Sequence, residues 1–156
     1  MIKLFYPLLA LALLTQCQQE ETYESIEVTR ETGDLKFGQE ALLQKFGQIT
    51  LYGDEVPRRL IVSLKEIEDS RCPKDVDCVT AGNASVTLRA SNSQGVNENI
   101  VLCIGDCGAE GARETHTVAA EVGGVNYKFT LKAVKPYPGQ EHEGEVQKAQ
   151  LVVEKV

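Results

Sequence analysis

The chain has 156 residues, with 16 Lys and Arg against 23 Asp and Glu and no Trp. That length fits one domain whose core can fold without staples, and the scarcity of aromatics makes that core mainly aliphatic. A net charge of −7, with Arg58-Arg59 the longest cationic run, excludes a nucleic-acid partner, which needs clustered Lys and Arg.

Residues 1–16 read as a secretory signal peptide. Lys3 supplies a short positive region, and Leu4 to Leu14 form an apolar stretch of 11 residues interrupted by Pro7. A membrane-spanning helix needs about 20 such residues, so this stretch is an address rather than a span. Leu14-Thr15-Gln16-Cys17 follows and resembles the bacterial lipobox, although Gln16 stands where a small residue is usual. The resemblance implies acylation at Cys17 and a membrane partner reached through that lipid. It also accounts for the odd member of the five cysteines. Gln18-Gln19-Glu20-Glu21 resembles the surface-export signal of Bacteroidetes lipoproteins and reads equally well as a solvated spacer. Residues 17–24 are thus expected to be a lipidated flexible tether, and 25–156 a single domain.

Within that domain the apolar period is two. Candidate strands cover 25–30, 34–37 and 48–52. Gln39 to Phe46 fits a short helical turn or a strand comparably well. Leu60, Val62 and Leu64 alternate with polar residues while Ile67 falls out of phase, which predicts a bulge near Lys65-Glu66. Clear alternation returns in 84–90, and 98–104 and 114–121 are further strands. The run 125–133 sets Val125, Tyr127, Phe129, Leu131 and Ala133 against Asn126, Lys128, Thr130 and Lys132. Gly123-Gly124 ahead of it is a hairpin turn, Pro136 to Gly144 is an exposed loop, and 149–153 is the last strand. Eight or nine short strands with one wet face predict an all-β, antiparallel sandwich of Greek-key, immunoglobulin-like type, with a barrel as the alternative.

The domain holds Cys72, Cys78, Cys103 and Cys107. An even count in an exported chain reads as disulfides, with three connectivities open. Pairing Cys72 with Cys78 and Cys103 with Cys107 is favoured, because each pair brackets a turn-rich loop. Structural zinc is disfavoured, since the first pair has five intervening residues and zinc sites favour two to four.

Asp69-Ser70-Arg71-Cys72-Pro73, then Val76, Cys78-Val79, Ala81-Gly82-Asn83-Ala84 and Val86, form a distinctive string. It resembles a group of small uncharacterised bacterial envelope proteins, often lipoproteins, that carry DSRCP…CvWAGnA. The core match covers 69–86, with weaker likeness extending from Leu60 through Tyr127–Leu131, Pro136-Tyr137-Pro138 and the closing strand to Val153. Thr80 stands where that group has Trp. The resemblance implies the compartment, the β fold and a Cys72–Cys78 bridge, and it implies no activity. Read physically, Arg71 lies between Asp69 and the pair Asp75 and Asp77 and is expected in a carboxylate fork, with Gly82-Asn83 opening the next strand. Asp69, Arg71, Pro73, Thr80, Gly82 and Asn83 are the candidate loop site, read first as architecture and second as a rigid recognition loop.

Catalytic patterns are weak. No G-x-S-x-G elbow, calcium loop or phosphate-binding glycine loop is present, and no cofactor is expected. Glu141-His142-Glu143 is a chance-level metal pattern, and His116 sits in a strand context. The reading is a lipid-anchored cell-envelope protein at the outer membrane, on its periplasmic or surface face. It is expected to serve as a non-catalytic module for an unknown protein or small-molecule ligand. The alternative is an exported inhibitor, for instance of proteases, or a small envelope enzyme.

Overall fold

The computed structural model describes residues 35–108 and 111–156, which contain ten strands in two sheets and no helix. The signal peptide, Cys17, the tether, the strand expected at 25–30 and the start of the domain lie outside these residues. Sheet A takes β1 (Leu35–Lys36), β3 (Gln48–Tyr52), β4 (Arg59–Asp69), β5 (Asn83–Ser91), β6 (Val96–Asp106) and β7 (Ala112–Arg113), in that order across the sheet. Sheet B takes β2 (Glu40–Gln44), β10 (Lys148–Lys155), β9 (Val125–Lys135) and β8 (His116–Val122). The two pack face to face as a β-sandwich.

Alternation along the strands builds the core. Leu60, Val62 and Leu64 of β4, Ala84, Val86, Leu88 and Ala90 of β5, and Tyr127, Phe129 and Leu131 of β9 are all buried. The core is aliphatic except for Tyr127 and Phe129, whose rings tilt against each other at 6.4 Å. Tyr127 keeps its hydroxyl satisfied by accepting from Asn92 Nδ2 at 3.3 Å.

One reading left open is decided, one short strand is new and one expectation is corrected. The segment around Gln39 to Phe46 is a strand, because Ala41 and Leu43 alternate inward while β10 supplies a full antiparallel partner. Ala112 and Arg113, for which no strand was expected, form β7 by pairing with Asp106 and Gly105. One strand pair is parallel: β1 lies beside β3 in the same direction, because the chain leaves sheet A for β2 and returns. The bulge is where the broken phase put it, with the β4–β5 register shifting between Leu64 and Glu66. There the turn after β2 docks, with Phe46 N–H donating to Leu64 O at 2.9 Å and Leu64 N–H to Gly47 O at 3.0 Å.

Candidate functional site

Both disulfides form as favoured from the spacing: Cys72–Cys78 and Cys103–Cys107. The register puts them at one end of the sandwich. Asp69 ends β4 opposite Ala84, and Asn83 opens β5 opposite Gly105 near the end of β6. Each bridge closes a short ring, worth about 2 kcal/mol by loop-closure entropy, so rigidity of the loops is the larger effect. Two bridges of this kind belong to a protein that matures in an oxidising compartment outside the cytoplasm.

Asp69 and Arg71 are the centre of this end. Arg71 donates through Nε to Asp69 Oδ1 at 2.8 Å and through Nη2 to Oδ2 at 2.6 Å. The two side chains are only 9% and 2% exposed. Arg71 Nη2 also donates to the Val134 carbonyl at 2.9 Å, and Gln147 Nε2 donates to Asp69 Oδ2 at 3.1 Å. One face of the guanidinium lies 4.3 Å from the centre of the Tyr137 ring. The pair therefore ties the end of β4 to the end of β9 and to the entry of β10, across both sheets. It is a fork of one carboxylate, not the expected cluster: Asp75 and Asp77 are exposed and make no ion pair among the described residues.

The rest of the motif shapes the connection. Gly82 has φ +69°, and a β-carbon there would overlap the Ser70 carbonyl oxygen, so no other residue fits. Asn83 donates through Nδ2 to Asp106 O at 3.1 Å and accepts at its own carbonyl from Ser70 N–H at 2.8 Å. Cys72 N–H donates to Ala81 O at 2.8 Å, closing the neck of the loop, and Lys74 N–H donates to Pro138 O at 3.0 Å. Pro73 and Thr80 are exposed on the outer turn, as are Val76 and the fully exposed Val79.

Beside this braced loop lies a groove of about 730 Å³, within the range of ligand sites. Ile104, Val134 and Gly105 contribute to its lining, together with Tyr137 and Arg71, and Arg113 and Lys135 are among its charged groups. No pattern in the sequence announces the groove, because β7 and the end of β9 come to line it only through tertiary packing. Tyr137 had a signal, the Pro-Tyr-Pro string, whereas Gln147 and the Val134 carbonyl had none. His116 is half-buried and accepts at Nδ1 from Cys103 N–H at 3.0 Å. His142 donates through its main chain to Glu145, and no group of three metal-ligating side chains occurs among the described residues.

Comparison with known proteins adds no relative: no protein-family model matches the chain, and neither curated proteins nor solved structures provide a match.

Proposed function

We propose that this protein is a lipid-anchored component of the cell envelope, held at the outer membrane through Cys17, whose disulfide-bearing end is a non-catalytic binding module. The observation that supports the binding role is convergence. Two disulfides, a buried Asp69–Arg71 pair and a groove of ligand size meet at one end of the sandwich. Rigid loops around a preformed cleft bind with little loss of conformational entropy.

Two measurements test it. Replacing Cys17 with Ala abolishes fatty-acid labelling in cells and releases the protein from the membrane fraction; continued labelling refutes the anchor. A photo-crosslinking residue at Ala112, on the groove, yields a discrete adduct in intact cells, while one at Asn126, at the other end of β9, does not. Equal adducts from both positions count against a site at the braced end.

A further inference from the structure

Arg71 is engaged on part of its guanidinium only. Nε and Nη2 donate side-on to Asp69, and Nη2 gives its second hydrogen to the Val134 carbonyl. Nη1 makes no hydrogen bond among the described residues. Every wholly buried side-chain nitrogen or oxygen among them has a partner, so Nη1 keeps contact with the surface. Arg71 lines the groove, and its side chain is only 9% exposed. Nη1 is therefore the open corner of a group already fixed by Asp69, Val134 and the Tyr137 ring. Two N–H donors held in place this way need little ordering to engage a ligand.

Tyr137 is the aromatic residue of the groove lining and is 36% exposed. The Arg71 guanidinium covers part of one ring face. The bond from Lys74 N–H to Pro138 O holds the loop that carries the ring. The Tyr137 hydroxyl makes no hydrogen bond among the described residues.

The other walls narrow the class of ligand. The cations Arg113, Lys132 and Lys135 are equalled in number by Asp106, Glu114 and Glu145, and Arg71 is neutralised by Asp69. An ion gains no net attraction from such a set. A wholly apolar molecule fits no better, because it strips water from Nη1 and returns no hydrogen bond. A sugar ring meets both conditions. It is uncharged, and its C–H face is apolar and stacks on an aromatic ring. Each hydroxyl both donates and accepts, which suits walls that set guanidinium and ammonium donors beside carboxylate acceptors.

Resting on the binding role proposed above, we infer that the groove binds an uncharged saccharide. One sugar ring stacks on the open part of Tyr137, and one hydroxyl accepts from Arg71 Nη1. Further hydroxyls reach the carboxylates and ammonium groups of the walls.

The test screens the purified full-length chain on an array of oligosaccharides of glucose, galactose, mannose and N-acetylglucosamine, with uronic-acid oligomers as the charged comparison. The best neutral binder is then titrated by calorimetry. Its affinity is expected to change less than about twofold between about 0.1 and 1 M salt. Tyr137→Ala is expected to weaken binding about tenfold or more, and Tyr137→Phe, which keeps the ring, by no more than about threefold. Ala112→Leu narrows the groove at an exposed position and is expected to weaken binding as well, while Lys128→Ala, elsewhere on β9, leaves it unchanged. Urea denaturation and mapping of both disulfides verify that each variant has folded. Absence of any neutral binder overturns the inference; if the photo-crosslinker at Ala112 still captures a partner in cells, the binding role stands and only the saccharide falls. Binding confined to the uronic acids and lost at high salt overturns it too. So does a neutral glycan held equally by the native protein and by Tyr137→Ala.

Discussion

At the scale of single residues, the Asp69–Arg71 pair decides how the braced end is held. Both groups are withdrawn from water, and every charged hydrogen bond between them replaces solvation that was lost. Removing one partner leaves the other charged and buried. Asp69→Ala is expected to lower the unfolding free energy by about 3–5 kcal/mol in urea denaturation. Replacing both, Asp69→Leu with Arg71→Met, is expected to cost less than that single change, because no orphan charge remains. A double variant as unstable as Asp69→Ala would show that the pair contributes stability beyond mutual neutralisation. Gly82 is equally constrained for a different reason. Its left-handed backbone and its contact with the Ser70 carbonyl leave no room for a side chain.

At the scale of elements, the bulge in β4 is what aims Asp69. Leu60, Val62 and Leu64 point inward with a period of two, and unbroken alternation would bring Glu66 and Glu68 to the interior. The extra residue at Lys65 shifts the phase, so Ile67 and Asp69 turn inward instead. Deleting Lys65 removes the extra residue, and plain alternation after Leu64 then turns Glu66 outward and still turns Ile67 and Asp69 inward. The Asp69–Arg71 pair is therefore expected to survive the deletion, and Arg71→Met to destabilise the deletion variant about as strongly as the native protein in urea denaturation. A much weaker effect in the deletion variant would contradict this. The bulge was legible in the sequence because Ile67 breaks a regular apolar pattern, and the longer strands were legible because one face is dry and the other wet. The disulfide pairing was legible from ring size. The segment Glu40–Gln44 was ambiguous, since Leu42 and Leu43 are adjacent and satisfy either period; its strand state comes from β10 beside it. β7 is two residues long and carries no period at all. The partners of Asp69 other than Arg71 lie far away in sequence, with Gln147 78 residues on, so no local pattern announces them.

At the scale of the whole molecule, the two ends of the sandwich differ in character. The braced end carries both bridges, the groove and the exposed valines of the outer turn. The far end carries the turn between β3 and β4, where Lys155 Nζ donates to the carbonyls of Glu55 and Val56 at 3.0 and 3.1 Å. The first residue of the described structure, Leu35, pairs with Leu51, which pairs with Leu60 near that far end. Leu60 and Asp69 lie at opposite ends of β4, about 30 Å apart along the strand. Under the proposed anchoring at Cys17, a fluorophore at position 56 is expected to be quenched by lipid-borne quenchers more than one at position 79; the reverse order would contradict this polarity. The parallel β1–β3 pairing thereby acquires a meaning beyond the sheet itself. Under the proposed anchoring, it holds Leu35 at the end of the sandwich remote from the disulfides, which turns the groove away from the lipid.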